Sequence, residues 1–161
     1  MKLVLIRHGQ SIYNLENRFT GWKDIDLTEL GEKQAREAGR ILSDVSFDYC
    51  YTSNLRRARE TLRLILNEIN QSPLIENNVA LNERDYGSLI GQNKAQAAQK
   101  FGLEQVQIWR RSFDVSPPGG ESLKMTAERT LPYYRSVILP KVLNSNNVII
   151  SAHGNSIRAI V

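Results

Sequence analysis

The chain has 161 residues, of which 41% are hydrophobic and 24% charged, and Lys and Arg exceed Asp and Glu by four. This balance predicts one folded domain with its own core and excludes a disordered chain. A single cysteine, Cys50, excludes an internal disulfide and is typical of a reducing compartment. No apolar run is long enough to cross a bilayer, and the N-terminal residues do not resemble a signal peptide. We therefore expect a cytoplasmic protein without membrane contacts. Its positive charge fits either a solvated basic surface or an anionic substrate.

The first predicted element is a buried strand at Leu3–Ile6, an apolar run that stops abruptly at Arg7, His8 and Gly9. A polar loop from Gln10 to Leu27 follows, and loops of this length are often functional. A buried strand does not need a cation, an imidazole and a glycine at its end. The pattern therefore indicates that the chemistry starts there.

The rest of the chain alternates predicted helices and strands, which is typical of a layered α/β fold. The first helix buries a stripe of Leu30, Ala35, Ala38, Ile41 and Leu42, and the second begins at Ser53 or Asn54. In chain order the elements are helix Glu29–Leu42 capped by Thr28, strand Phe47–Thr52, helix Leu55–Ile69 and strand Leu74–Glu76. An irregular stretch, Asn77–Gln92, is followed by helix Asn93–Phe101, which Gly102 ends, and by a helix that ends near Arg111. The last elements are helix Ser122–Leu143, bent or split at Pro132 and Pro140, strand Val148–Ser151, and a helix that begins before Val161.

The two histidines of the chain both follow apolar strands. His8 follows the first strand and His153 follows Val148–Ser151, and each precedes a glycine. Parallel strands of an open α/β sheet bring their carboxyl ends to one edge, where ligands bind. We therefore expect the two imidazoles to be neighbours.

A histidine surrounded by arginines is suited to phosphoryl transfer. Neutral imidazole is a nucleophile, and arginines neutralise the phosphoryl oxygens with planar donors. Arg7 adjoins His8, while Arg57 and Arg59 lie near the start of the helix after the second strand. Gly9 and Gly154 would let backbone N–H groups approach the same anion. The leaving oxygen also needs an acid, and Glu83 in the irregular stretch is the best candidate.

Each of these features has a simpler interpretation. The arginines at 56, 57, 59 and 63 fit the wet face of an amphipathic helix, and we expect two of them to serve only that purpose. Glu83 and Arg84 could form a local ion pair of little energetic value. The histidine pair could hold a metal, although no ligand spacing supports this.

Taken together, these residues resemble the histidine phosphatase superfamily and, within it, the cofactor-dependent phosphoglycerate mutases. The stretch Leu5–Ser11 carries the Arg-His-Gly signature of the superfamily. The segments that resemble the mutase branch follow in the family's order: Asn14 with Arg18–Trp22, Leu27–Gly31, Tyr51–Ser53 with Arg57 and Ala58, Leu81–Arg84 with Tyr86 and Gly87, Gly91 with Asn93 and Lys94, Trp109–Arg111, Gly120–Leu123, and Ala152–Arg158.

The resemblance implies a three-layer α/β sandwich with a mostly parallel central sheet flanked by helices. Residues 1–161 would form a single domain of this type, lacking a C-terminal segment of the family. It implies interconversion of 3-phosphoglycerate and 2-phosphoglycerate through a phosphohistidine, primed by 2,3-bisphosphoglycerate and without a metal. The implied catalytic residues are His8, Glu83, Arg7, Arg57 and His153. The implied substrate contacts are Ser11, Asn14, Thr20, Gly21, Tyr86, Lys94, Arg110, Arg111, Gly154 and Asn155.

Two other functions are weighed against this one. A histidine phosphatase acting on small phosphorylated metabolites would pass the phosphoryl group from His8 to water, whereas Lys94 and the Arg110-Arg111 pair favour a carboxylate-bearing substrate held for retransfer. An inert phospho-ligand module would need neither a nucleophile nor an acid such as Glu83. The expected partners are phosphoglycerates, and the scattered arginines argue against nucleic acid. Family analogy implies a homodimer or homotetramer.

Overall fold

The computed structural model describes residues 1–161 and contains one sheet of four parallel strands. The strands are β1 (Lys2–Arg7), β2 (Tyr49–Thr52), β3 (Ile75–Asn77) and β4 (Asn147–Ala152), in the spatial order β1-β4-β2-β3. The last strand thus lies between the first two, with Arg7 opposite Ala152. The predicted α/β fold with a mostly parallel sheet is confirmed, and all of its strand pairs are parallel.

Eight α-helices surround the sheet, and none is both long and apolar enough to cross a membrane. They are α1 (Ile12–Leu15), α2 (Glu29–Ile41), α3 (Arg56–Glu68), α4 (Lys94–Phe101), α5 (Leu103–Arg111), α6 (Leu123–Tyr133), α7 (Leu139–Leu143) and α8 (Gly154–Ile160). Two short 3₁₀ turns, Val79–Leu81 and Gly87–Leu89, lie in the stretch that the sequence predicts as irregular.

Two separate apolar clusters form because successive side chains of a strand point to opposite faces of the sheet. On one face Cys50 and Ile149 pack with Leu62 and Ile65 of α3. On the other face the cluster contains Tyr51, Val148 and Ile150 of the strands with Ile138 and Val142 of the C-terminal helical segment. Helices therefore cover both faces, which gives the three layers that the resemblance implies.

The structure corrects the predicted buried stripe of α2. Leu30 and Ile41 are 49% and 71% exposed, and the buried residues are Gly31, Ala35 and Gly39. A Cβ at Gly39 would lie 2.8 Å from the Cβ of Glu68, so α2 approaches α3 through small residues. Periodicity of large apolar residues does not detect such a face.

The predicted cap of α3 is also wrong. Neither Ser53 nor Asn54 is the N-cap residue, which is Leu55 and gives no side-chain hydrogen bond. The N–H of Arg56 instead donates to Oδ1 of Asp24 at 2.7 Å. The carboxylate comes from the long polar loop, so the cap also ties this loop to the helix.

The prolines of the last long helical segment act as predicted. A π-helical turn at Tyr134–Ile138 separates α6 from α7. Pro132 lies just before this turn, inside α6, and Pro140 lies in the first turn of α7. A proline has no N–H to donate, and its ring crowds the preceding turn, so the regular ladder is interrupted there.

Candidate active site

Sheet register places the two histidines side by side. β1 and β4 are neighbours, and the N–H of His8 donates to the carbonyl of Ala152 at 3.1 Å. The centroids of the two imidazole rings lie 5.1 Å apart. The expected juxtaposition of His8 and His153 is therefore present.

The environment of His8 keeps its imidazole neutral. Its Nδ1 lies 2.6 Å from the carbonyl oxygen of Gly9, which fixes Nδ1 as the donor. Nε2 makes no hydrogen bond within the chain, and His8 lines a cavity. Burial, with smaller effects from the charges of Arg57 and Arg7, lowers the pKa of His8 to about 3 against the opposing effect of the Gly9 carbonyl. An unprotonated Nε2 facing a cavity is a nucleophile.

His153 is fully buried beside His8 and does not line the cavity itself. Its Nε2 lies 2.7 Å from Oγ of Ser53, whereas its Nδ1 is buried with no partner. Burial lowers the pKa of His153 well below its usual value, and the charge of Arg57 adds to this effect. A buried nitrogen without a partner is costly, so a ligand that supplies one would be stabilised there.

The cavity that His8 lines is small, about 240 Å³, and strongly cationic. Seven of its sixteen lining residues are Arg or Lys, and Glu83 is its only acid. Such a surface favours a compact ligand with several negative charges. The lining residues are Arg7, His8, Asn14, Arg18, Phe19, Thr20, Gly21, Arg57, Glu83, Tyr86, Lys94, Arg110, Arg111, Gly154, Asn155 and Arg158.

Arg57 is the one arginine of α3 that enters this cavity. Its two terminal nitrogens donate to the carbonyls of Lys23 and Gly21 at 2.8 and 2.7 Å, so it also holds the polar loop. Burial lowers the pKa of Arg57 to about 10, which leaves it charged at neutral pH. Arg59 lines a different cleft.

The other two arginines of α3 form surface ion pairs. Arg56 pairs with Asp24 and Asp26, and Arg63 pairs with Glu60. These exposed pairs are the wet face that the sequence predicts for part of this cluster.

Hydrogen bonds within the chain hold the carboxylate of Glu83 through only one of its two oxygens. Its Oε1 accepts from the N–H of Arg84 at 2.7 Å and from the N–H of Asn155 at 3.3 Å. Its Oε2 accepts no hydrogen bond within the chain. Since the amide N–H groups occupy Oε1, Oε2 is the oxygen that can exchange a proton with a ligand.

Arg84 makes no ion pair with Glu83, so the simpler interpretation of this dipeptide is wrong. The guanidinium points away from the carboxylate, is fully buried, and donates to four carbonyl oxygens. Burial lowers the pKa of Arg84. The acceptors belong to Trp109, Arg110, Val115 and Glu121, so Arg84 ties the Glu83 segment to the end of α5.

The opposite wall of the cavity is built on aromatic rings. Tyr86 packs on Phe19 with ring centroids 5.1 Å apart, and the ammonium of Lys94 lies 5.7 Å from the centroid of Phe19. Nδ2 of Asn155 donates to the hydroxyl of Tyr86 at 3.3 Å. Burial lowers the pKa of Lys94, and the nearby charge of Arg110 acts in the same direction. An anion beside Lys94 would relieve this repulsion.

Two residues of the predicted site stand outside the cavity surface, namely His153 and Ser11. Ser11 is fully buried and caps α1, where its Oγ accepts from the N–H of Asn14 and its own N–H donates to Asn14 Oδ1. Ser11 thus orients Asn14, which does line the cavity.

Gly9 does not offer its N–H to an anion, contrary to expectation. That N–H donates to Oγ1 of Thr61 at 3.1 Å. A Cβ at Gly9 would collide with the backbone of Gly31, so the glycine serves the packing of α2.

Sequence reasoning missed three lining residues, Arg18, Phe19 and Arg158. All three lie within segments that carry the family resemblance, but no role is implied for them there. Arg158 donates to Oδ1 of Asn155 at 3.1 Å, and Arg18 donates to the carbonyl of Gly91 at 2.7 Å. Arg158 lies one helical turn after Asn155, and this spacing is the feature of the sequence that could have identified it.

No group of three or more His, Cys, Asp or Glu side chains is arranged to hold a metal ion. The two imidazoles have one carboxylate nearby, Glu83, and its bound oxygen is occupied by amide N–H groups. The seven Arg and Lys side chains of the cavity favour an anionic ligand.

Comparisons with known proteins agree with this geometry. The family model described as "Histidine phosphatase superfamily (branch 1)" matches residues 3–161. The chain is 59% identical to a 2,3-bisphosphoglycerate-dependent phosphoglycerate mutase of Methylocella silvestris, with 99% of this chain and 79% of that protein covered. It is 60% identical to the enzyme of the same name from Bradyrhizobium diazoefficiens, with 99% and 78% covered.

Two solved structures are similar in fold. A phosphoglycerate mutase from Bacillus anthracis superposes with a TM-score of 0.84 at 25% identity, with 98% of this chain and 77% of that chain covered. A mycobacterial glucosyl-3-phosphoglycerate phosphatase complexed with VO3 gives a TM-score of 0.87 at 30% identity, with 98% and 78% covered.

Proposed function

The chain belongs to branch 1 of the histidine phosphatase superfamily and, within it, to the 2,3-bisphosphoglycerate-dependent phosphoglycerate mutases, and we propose that His8 carries the phosphoryl group as 3-phosphoglycerate and 2-phosphoglycerate are interconverted. The observation that carries this proposal is the free Nε2 of a neutral His8 at the wall of a cationic cavity. Arg7 and Arg57 stand beside it, and the unpartnered Nδ1 of His153 lies behind it.

In the step that loads His8, its Nε2 attacks a phosphorus of bound bisphosphoglycerate while that P–O ester bond breaks and a monophosphoglycerate is left. Glu83 gives its proton to the departing oxygen and becomes a carboxylate. In the return step this carboxylate takes the proton of the acceptor hydroxyl as the oxygen attacks phosphohistidine and the P–N bond breaks. The imidazole is then neutral again, and Glu83 again holds its proton. Arg7 and Arg57 stabilise the transferring oxygens throughout, and the proposal adds the unpartnered Nδ1 of His153 behind His8.

The cavity fits a phosphoglycerate that carries more than one anionic group. His8 and Arg57 would hold the transferring phosphoryl group, while Lys94, Arg110 and Arg111 would hold a carboxylate or a second phosphate. Bound there, 2,3-bisphosphoglycerate supplies the phosphoryl group that primes His8. Asn14, Thr20, Gly21, Tyr86, Gly154 and Asn155 are proposed as further contacts, and Ser11 as the residue that orients Asn14. We propose that no metal takes part.

The cations that are proposed to hold the carboxylate also bear on the choice between mutase and phosphatase. A phosphatase releases its product after one transfer and needs only the phosphoryl end of the site. A mutase must retain the bisphosphate intermediate while it reorients for the second transfer, and the cations at 94, 110 and 111 would hold it.

The discriminating experiment compares two products from one reaction. Protein primed with 2,3-bisphosphoglycerate is given 3-phosphoglycerate, and both 2-phosphoglycerate and inorganic phosphate are measured. We expect isomerised product to exceed released phosphate by a wide margin. Phosphate release at the same rate or faster would assign the chain to the phosphatases instead.

Two properties remain predictions. The family resemblance implies a homodimer or homotetramer, which sedimentation equilibrium would determine. The composition, with its single buried cysteine, supports a cytoplasmic location, which fractionation of the source cells would test.

A further inference from the structure

The carbonyl oxygen of Glu83 accepts hydrogen bonds from two side chains that have no other role in the proposed reaction. It accepts from the indole Nε1 of Trp22 at 2.6 Å and from Nη2 of Arg129 at 2.8 Å. Both lone pairs of this carbonyl are therefore occupied. The two donors come from positions 22 and 129, so two distant parts of the chain fix the position of Glu83.

Arg129 is itself rigidly held. Its guanidinium forms a two-point ion pair with Glu121, at 2.8 and 2.9 Å, and also donates to the carbonyls of residues 79, 80 and 82. The ring of Trp22 covers this guanidinium, with 5.5 Å between Cζ and the ring centroid. A planar cation beneath an aromatic face is a favourable pair. The stacking on Arg129 therefore fixes the orientation of the indole, whose N–H donates to the carbonyl of Glu83.

Trp22 belongs to the same loop as the proposed substrate contacts Thr20 and Gly21. Gly21 has a φ of +51°, and a Cβ there would lie 3.0 Å from the N of Tyr86 and 3.2 Å from the O of Arg84. The loop thus packs directly against the backbone of the residues that follow Glu83. A shift of the loop would move the carbonyl of Glu83, and with it the carboxyl group.

We propose that Trp22 is a positioning residue for Glu83, and that its indole N–H, together with Arg129, sets the direction in which the free Oε2 of the carboxyl faces. The inference rests on the proposed role of Glu83 as proton donor. It explains why a partly exposed tryptophan, 39% accessible, lies at the rim of the site without lining the cavity. Trp22 touches no substrate in this account and acts only through the backbone of Glu83.

The test separates the indole N–H from the aromatic ring. Trp22→Phe keeps a ring over Arg129 but cannot donate to the carbonyl. Tyr134→Phe is the control, because Tyr134 packs in the apolar cluster of Tyr51, Val148 and Ile150, makes no hydrogen bond through its hydroxyl, and does not line the cavity. Thermal unfolding of both variants verifies that each is folded.

Two phosphoryl donors are compared in single turnovers that load His8. One is 2,3-bisphosphoglycerate, whose alkoxide leaving group needs a proton, and the other is an aryl phosphate, whose leaving group does not. For Trp22→Phe we expect a roughly tenfold slower transfer from 2,3-bisphosphoglycerate, between the ~fivefold of one lost hydrogen bond and the ~hundredfold of a 1 Å misplacement. Transfer from the aryl phosphate should be unchanged, and KM for 3-phosphoglycerate should change little. Tyr134→Phe should match the wild type with both donors.

Glu83→Gln distinguishes failure of the inference from failure of the proposed function. If Glu83→Gln selectively slows the donor with the poor leaving group but Trp22→Phe does not, the positioning role of Trp22 is wrong and the proton donor stands. If Glu83→Gln slows both donors equally, the proton donor itself is wrong and the inference falls with it. A Trp22→Phe variant that slows both donors equally, or changes only KM, also contradicts the inference.

Discussion

Lowering the pH of the ligand-free protein should protonate neither histidine until far below the usual imidazole range. His8 is 8% exposed and His153 is fully buried, and each has one ring nitrogen close to a fixed polar partner. Burial and the charges of Arg57 and Arg7 lower the pKa of His8 to about 3 from an ordinary 6.5. The unfolded chain therefore binds a proton at this residue near pH 6.5, whereas the folded chain does so only near pH 3.

The sign and size of the stability effect follow from this difference. Between pH 6.5 and 3 the unfolded state binds more protons, so folding stability decreases as the pH falls through this window. At about 1.4 kcal/mol per unit of pKa difference, the low pKa of His8 lowers the free energy of unfolding by about 5 kcal/mol once the pH is below both the folded and the unfolded pKa. From pH 7 to pH 5 the expected loss is about 2 kcal/mol.

Two measurements check this reasoning. The chain has only two histidines, so imidazole NMR resonances are easily assigned, and neither should titrate between pH 8 and 5. Urea unfolding should show that wild type loses about 2 kcal/mol more than His8→Asn between pH 7 and 5. A histidine resonance with a midpoint near pH 6.5, or equal pH dependence of wild type and variant, would refute the argument.

Three further outcomes are expected. Arg84→Met should lower the free energy of unfolding by about 3 to 5 kcal/mol in urea denaturation, since buried carbonyls lose a charged donor, and a change below 1 kcal/mol would contradict this. Gly21→Ala should lower the free energy of unfolding by about 1 to 2 kcal/mol and raise KM for 3-phosphoglycerate, because φ is +51° and the new Cβ crowds Tyr86. Wild-type values for both quantities would contradict this prediction. EDTA should leave mutase activity unchanged, and activity lost on chelation and restored by one divalent ion would favour a metal site.

The sheet and the main helices were predictable because their signals are local. Apolar runs that end at glycine mark β1 and β4, and caps such as Thr28 and Asn93 fix where helices start. The juxtaposition of the histidines was also predictable, since parallel strands bring their carboxyl ends to one edge.

Other features could not be predicted because they depend on contacts distant in sequence. Asp24 caps α3 by accepting from the N–H of Arg56, 32 residues further along the chain. Gly9 packs against Gly31 of α2, whereas the sequence predicts that it contacts an anion. Arg84 follows Glu83 in sequence, yet its side chain is drawn away by carbonyls 25 to 37 residues further along the chain. Adjacent charges therefore suggested an ion pair that tertiary structure overrides.

The roles within the site were less accessible than its composition. The resemblance supplied most of the cavity lining, but it gave Ser11 and Asn14 the same role, although one is buried and orients the other. It also could not show that Arg57 holds the polar loop through two carbonyls. Such assignments require the hydrogen-bond partners, which sequence does not provide.

The most direct test of the central claim is the location of the phosphoryl group. The protein is incubated with 2,3-bisphosphoglycerate, digested at alkaline pH and analysed by peptide mass spectrometry, with a chase by 3-phosphoglycerate. We predict one acid-labile phosphoryl group on the peptide that contains His8, lost in the chase and absent from a folded His8→Ala variant. A label on the peptide that contains His153, or substantial mutase activity in folded His8→Ala, would contradict the account.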